Sequence, residues 1–245
     1  MASAKDIRVA PIAKRDADAL ILRLHYSHKV TNNSALALGV FLGGRLEGAM
    51  TFGPSMDKSH IQPLVRDTKW NGFLELNRLA FSEALPRNSE SRALAIAMRM
   101  IRKSYPHIEW IISFADGCQC GDGTIYRAAG FVLTGIKVNK SLLRLADGSV
   151  THKMTQVTGK NRNDHFAKTG GSWTGQGTPL DGYQMRYIYF VNPAARARLA
   201  CKEIPYSEIE RRGAGMYRGI ARGKQAMSDV QSEQRRSSTD PHAPN

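Results

Sequence analysis

The sequence predicts an α/β (α+β) protein with a central mixed, twisted sheet and helices on both faces. Three observations carry this. First, Glu109 to Phe131 reads as an Ile-, Trp- and Phe-rich run ending at Asp116, a loop with three glycines in seven residues, a short helical piece and Phe131. Strand, tight loop, helix, strand is a crossover that places parallel strands in one sheet. Second, two hairpin signals supply antiparallel strands: Leu36 to Leu42 and Arg45 to Phe52 around Gly43-Gly44, and Leu142 to Leu145 and Val150 to Val157 around Ala146 to Ser149. Third, a long amphipathic helix with Leu94, Ala97, Met98 and Ile101 on one face lies between two apolar strands.

Taken in order, Asp6 to Ala13 alternates weakly as a first strand. Lys14 to Leu24 carries Ala17, Leu20, Ile21 and Leu24 at helical spacing and leads into His25-Tyr26-Ser27. Gly53 to Gly72 reads as a polar loop, and Phe73 to Phe81 as a strand. The long helix starts at a Ser89 or Ser91 cap and ends before Pro106. After the Glu109 to Asp116 strand, Thr124 caps the short helix, Gly130 stops it and Phe131 to Val138 is a strand. Thr158 to Gly182 is long, Gly-rich and basic without periodicity. Tyr183 to Val191 alternates and closes the sheet, and Pro193 to Cys201 has helical character. The predicted organisation is one domain over 1–200 and a basic, largely disordered tail over 201–245, which beyond roughly Arg211 is rich in Arg, Gly, Ser and Gln.

Charge narrows the partners. Lys and Arg number 35 against 21 Asp and Glu, a net charge of +14, so the surface attracts polyanions and nucleic acid is the first candidate. No apolar run spans a bilayer and the N-terminus lacks the apolar core of a secretory signal, so no membrane partner is expected. Three cysteines suit a reducing compartment better than a disulfide scaffold. Phosphate contacts are expected from Lys58, Arg66 and Lys69 in the first loop and from Lys153, Lys160, Arg162 and Lys168 in the second, with Trp70 and Trp173 available to stack. The plainer reading of each is a solvated surface residue.

The element order, with Tyr126-Arg-Ala-Ala-Gly-Phe131, resembles the GNAT acyltransferase fold, in which two parallel strands splay to admit an acyl donor. Here they would be Phe73 to Phe81 and Glu109 to Asp116. A closer resemblance is to the Mom family, carried by His25-Tyr26-Ser27, Glu75-Leu-x-Arg78, Ser91, Ser113-Phe-Ala-Asp116 and Gly123-Thr-Ile-Tyr126 over about residues 20–190. It implies conversion of adenine N6 in double-stranded DNA to a carbamoylmethyl derivative, protection of phage DNA from restriction, and work in the cytoplasm of the infected bacterium. The family's functional residues fall on His25, Tyr26, Arg78, Ser91, Asp116 and Tyr126. The family resemblance also makes iron a candidate, with His25, Asp116 and Tyr126 as ligands and Cys118 and Cys120 nearby; spacing supplies no His-x-His or Cys-x-x-Cys pair.

The roles have bland rivals. Asp116 is the candidate base or orienting group, against a carboxylate that merely caps the Gly117 to Gly123 loop. Tyr126 is the candidate proton donor, against a helical Tyr packed under the sheet. Arg78 pairs with Glu75 or an anionic ligand. Asn88 and Ser91 stand where GNAT enzymes hold the pyrophosphate of coenzyme A, but Ser91 occupies a glycine position and Glu90 adds negative charge. The donor is therefore acetyl-CoA or an activated glycyl group such as glycyl-tRNA. The alternatives are an ordinary GNAT N-acetyltransferase acting on a small amine or protein, and a non-catalytic DNA-binding module.

Overall fold

The structure is a computed structural model and describes residues 2–153 and 177–222. The chain divides into two compact units. One comprises Met1–Ala115, Gly123–Gly135 and Met185–Glu208; the other comprises Asp116–Asp122, Ile136–Gln184 and Ile209–Asn245.

The first unit is built on a mixed sheet. Its strands are β1 (Arg8–Pro11), β2 (Leu36–Leu42), β3 (Arg45–Gly53), β4 (Phe73–Phe81), β5 (Trp110–Gly117), β6 (Val132–Val138) and β10 (Tyr183–Phe190), in the order β1-β2-β3-β4-β5-β10-β6. Strands β1 to β4 are antiparallel neighbours, and β4 and β5 are parallel. β10 was expected to close the sheet; it lies inside it, between β5 and β6. Met185, Tyr187 and Ile188 are accordingly buried, which suits an interior strand better than an edge.

Helix α1 (Lys14–Leu24) has the predicted bounds. Ala17, Leu20 and Ile21 pack on Ala37, Ala49 and Ala80 of β2, β3 and β4. Small residues on the sheet let the helix approach closely. The segment expected as a polar loop after Gly53 holds α2 (Lys58–Ile61) and a 3-10 turn, Gln62–Leu64. It covers a core of Val65, Phe73, Trp110, Ile112 and Ile188. Trp110 stacks on Phe73 with ring centroids 4.4 Å apart and donates its indole N–H to Thr68 Oγ1 at 2.9 Å, so the largest core side chain has its one polar atom satisfied.

Helix α3 (Ser89–Ser104) buries Ala93, Leu94, Ala97, Met98 and Ile101. Its cap is Asn88, at φ +70°, and not Ser89 or Ser91; Ser89 is the first helical residue, and Ser91 Oγ turns back to the Asn88 carbonyl at 3.2 Å. Asn tolerates this left-handed conformation better than most residues. Helix α4 (Thr124–Ala128) is likewise capped by Gly123, at φ +84°, rather than by Thr124.

The second unit holds a three-stranded sheet in the order β8-β7-β9, from β7 (Leu142–Arg144), β8 (Val150–His152) and β9 (Thr178–Pro179). Asn139 ties it together. Its Nδ2 donates to the Leu142 and Leu180 carbonyls, and its Oδ1 accepts from the Ser141 and Leu142 N–H groups.

The expected tail over 201–245 starts too early. Ile204 N–H donates to the Leu133 carbonyl at 2.8 Å, and the Tyr206 hydroxyl donates to the Phe131 carbonyl. Helix α5 (Ser207–Arg211) and the hairpin β11 (Met216–Tyr217) and β12 (Ile220–Ala221) follow. Residues 223–245 lie outside the described residues. No helix among the described residues is long and apolar enough to cross a membrane.

Candidate active site

Strands β4 and β5 pair over only Phe73↔Trp110, Leu74↔Ile111 and Glu75↔Ile112. Beyond Glu75 the two parallel strands part, as the GNAT-like architecture requires. A second irregularity lies on the other side of β4. Thr51 opposes Arg78 and Phe52 opposes Leu76, so Asn77 is an extra residue on β4. This is a β-bulge, with Asn77 and Arg78 both facing Thr51. Simple alternation would send Glu75 and Arg78 to opposite faces. Gly53 pairs with Glu75 and shares a face with Thr51, so the bulge returns Arg78 to the Glu75 side.

Glu75 sits beside the core of Phe73, Trp110 and Ile112. Burial pushes its carboxyl above the ordinary range, and a hydrogen bond from Ser55 and the Arg78 charge hold it partly back. Arg78 donates Nε–H to the Lys29 carbonyl at 2.9 Å and an Nη1–H to the Asn77 carbonyl at 2.7 Å. Burial lowers its pKa, while Tyr26, Glu75 and Tyr126 draw it back up. The expected alternatives for Arg78 were a Glu75 pair or an anion. The observed hydrogen bonds go to carbonyls, with Glu75 acting through space.

Tyr26 and Tyr126 thus lie within electrostatic reach of Arg78. Tyr26 is 42% exposed and stacks on His25 at 4.3 Å. His25 Nδ1 accepts the Ser27 backbone N–H at 3.1 Å, which places a ring proton of the neutral form on Nε2. Tyr126 is buried against Phe131 and Tyr187, each 5.4 Å away between ring centroids. Its packing partners fit the plainer reading of a helical Tyr, and its coupling to Arg78 fits the functional one. A Cβ at Gly123 would lie 2.4 Å from the Tyr187 ring, so glycine there lets α4 start against β10.

The loop from Asn33 closes over β3. A Cβ added at Gly53 would lie 2.1 Å from the Asn33 carbonyl oxygen, and backbone cannot yield as a side chain would. Gly53→Ala is expected to destabilise the protein by about 1–3 kcal/mol. Thermal unfolding checks this; an unchanged Tm would mean that the loop moves freely.

Asp116 belongs to the second unit. Its Oδ1 accepts from Cys118 N–H at 2.9 Å and Gln184 Nε2 at 3.1 Å, and its Oδ2 accepts from Gln119 Nε2 at 3.0 Å. Its carbonyl takes the Cys120 and Gly121 N–H groups. This is the loop-capping geometry. The hairpin β11–β12 adds to it: Gly219 N–H donates to the Cys120 carbonyl, and Asp122 N–H to the Met216 carbonyl, both at 2.9 Å. Burial, and then Asp116, push the Cys118 thiol up to about 12, so it stays protonated at neutral pH and is a poor ligand or nucleophile. Among the described residues no group of three or more His, Cys, Asp or Glu is placed to hold a metal ion. The expected iron site finds no frame there.

Asn88 and Ser91 line a groove of about 350 Å³ with Lys5, Arg92, Ala95 and Arg99. No carboxylate lies among the lining residues. Three cations at a helix N-terminus and along its flank suit a phosphate-bearing ligand. Of the other expected contacts, Arg66, Lys69 and Trp70 are exposed on one segment. Lys58 Nζ lies 4.5 Å above the Trp70 ring and donates to Asn71 Oδ1 at 3.1 Å. Lys160, Arg162, Lys168 and Trp173 lie outside the described residues.

A splayed parallel pair, a long helix after the first of its strands and a short one after the second make up a GNAT-like fold. Solved structures of similar fold include an IAA acetyltransferase from Bacillus cereus, 13% identical with TM-score 0.42 over 75% of this chain and 99% of that one. Another is FeeM, an N-acyl amino acid synthase from uncultured soil microbes, 14% identical with TM-score 0.43 over 79% and 95%. In sequence, the chain is 36% identical over 209 residues to the methylcarbamoylase Mom of Escherichia phage Mu, covering 81% of each. The model of the Mom protein family matches residues 6–208. The chain belongs to the Mom family.

Proposed function

We propose that this protein transfers an activated acyl group to N6 of adenine in double-stranded DNA, leaving a carbamoylmethyl substituent. The observation that carries the reading is the Glu75 carboxyl, half-buried and raised in pKa on the face it shares with Arg78, on which Tyr26 and Tyr126 act electrostatically. Adenine N6 is a poor nucleophile because its lone pair is delocalised into the ring. It needs a base as the new bond forms, and a carboxylate whose proton affinity is raised by its surroundings suits that task. Glu75 takes the proton. The edge of Arg78 not given to carbonyls stabilises the negative charge that develops on the acyl oxygen. Tyr126 donates to the leaving group, and Tyr26 with His25 closes over the reacting atoms. Asp116 positions the Gly-rich loop.

Carbamoylmethyl carries a nitrogen that acetyl lacks, and a glycyl group has the same atoms differently connected. With an activated glycyl ester or thioester, N6 attacks the carbonyl carbon and the carrier leaves with the proton. The glycyl amine then attacks C6 through a five-membered ring, the original C6–N6 bond breaks, and the former N6 becomes the amide nitrogen. Phosphates of coenzyme A or of a tRNA end both suit the groove at Lys5, Arg92 and Arg99; the purified protein supplied with each donor separates them.

The test is mass spectrometry of nucleosides from DNA of cells expressing the protein. A new adenine mass, absent with Glu75→Gln, supports the reading. Unmodified adenine with the intact protein overturns it. With ¹⁵N at N6, label in the product amide supports the rearrangement, and label retained on C6 excludes it. The +14 charge leads to a further expectation: DNA affinity falls steeply between 50 and 200 mM salt, about tenfold or more. A flat titration would remove DNA as direct partner.

A further inference from the structure

Two buried asparagines of this protein behave differently. Asn139 is 3% exposed, and its amide makes four hydrogen bonds. Asn77 is 7% exposed, and its amide oxygen has no hydrogen-bond partner among the described residues. Its Oδ1 is wholly out of solvent. A buried amide oxygen without a partner costs about 1–3 kcal/mol, so its retention calls for an explanation.

Asn77 is the bulge residue on the Glu75 face of β4. The same face of β5 carries a second unused group. Ile112 pairs with Glu75, and Phe114, two residues on, points to the same side. Ile112 is fully buried, whereas Phe114 is 42% exposed, alone among buried neighbours on its strand. The strands have parted there, so the ring has no cross-strand cover from β4.

We propose that Asn77 and Phe114 receive the target base, Asn77 reading the edge of the adenine and Phe114 supporting its ring. This rests on the reading of the site as one for adenine N6. An amide offers a donor beside an acceptor, and the adenine edge offers an acceptor beside its N6 donor; the two match in two parallel bonds. Guanine and cytosine present other patterns. The amide oxygen and nitrogen are assigned only by their surroundings, and the Asn33 carbonyl and Asn77 Oδ1 both lie within 3 Å of the point a Gly53 Cβ would occupy. Turning the amide over sets Nδ2 toward that carbonyl and Oδ1 toward the N6 amine. A base rotated out of the duplex also needs an apolar surface in place of its lost stacking, and an exposed phenyl ring supplies one.

The test compares binding to an adenine-rich synthetic duplex and to the same duplex with purine, which lacks the exocyclic amine, at each adenine. The intact protein is expected to prefer the adenine duplex by about tenfold. Asn77→Leu is expected to bring that ratio close to one. Asn77→Ala serves if the larger side chain prevents folding. Phe114→Ser is expected to weaken binding of both duplexes alike, by about fivefold or more. A ratio unchanged in folded Asn77 variants overturns the assignment of Asn77, and unchanged affinity in Phe114→Ser overturns that of Phe114. An intact protein that binds the two duplexes equally overturns instead the adenine reading on which both depend.

Discussion

Glu75→Gln is expected to abolish adenine modification, by about 10²–10⁴-fold in rate, while leaving the protein folded and DNA affinity intact. Gln keeps the shape and the contact with Ser55 but cannot take a proton. Burial raises the Glu75 pKa, so the catalytically useful carboxylate appears only as pH rises through that raised value, and activity should climb there. Stability moves the other way. Between the ordinary glutamate value and the raised one, the folded state holds a proton that the unfolded state has lost, so stability contributed by this group falls as pH rises. Glu75→Gln should remove that decline and be at least as stable as the intact protein above neutrality. Chemical denaturation at two pH values, beside single-turnover rates, reads both. If Glu75→Gln modifies DNA at the normal rate, the carboxyl is a half-buried neighbour of Ile112 and the base is elsewhere, with Asp116 next in line.

The sequence makes the sheet legible where its pattern is local. Gly43-Gly44 between two apolar runs announces the β2–β3 hairpin, and Ala17, Leu20 and Ile21 fix both α1 and its buried face. The apolar run of Phe73 to Phe81 sets β4 to the residue. What period-two alternation hides is the bulge. Nothing in Leu-Asn-Arg says that Asn77 is extra, and so nothing announces that Glu75 and Arg78 share a face. Sequence reasoning saw Glu75 only as a partner for Arg78 and gave the base to Asp116, which is conspicuous at the end of an apolar strand before a glycine-rich loop. A carboxylate in that position has backbone N–H groups within reach, and Asp116 takes them. The position of β10 between β5 and β6 is a long-range pairing without a local signal. The ordered stretch over 201–222 was missed because its composition resembles a tail, although Ile209, Ala214 and Met216 in it are buried.

Arg78→Lys is expected to lower kcat/KM by about 10²-fold or more, although charge is conserved. The guanidinium works as a fork. One arm holds the Lys29 carbonyl and with it the segment that follows His25 and Tyr26; a second holds the Asn77 carbonyl within the bulge. The remaining nitrogen, Nη2, has no hydrogen-bond partner among the described residues and remains for the acyl oxygen. A lysine ammonium is a single point of charge on a flexible stem and cannot span both carbonyls while presenting a third donor. Losing a charged hydrogen bond costs about 1.5–3 kcal/mol, so Tm should also fall, and hydrogen exchange at 25–29 should quicken. Stability loss alone would explain a lower yield of folded enzyme but not a lower kcat per folded molecule. Arg78→Ala with added guanidinium separates the two. Recovery of kcat by the free ion, with exchange at 25–29 still fast, assigns the third donor to chemistry. Failure of rescue, with normal kcat in the folded fraction of Arg78→Lys, would leave Arg78 as a clamp on the chain and return charge stabilisation to the Tyr26 and Tyr126 hydroxyls.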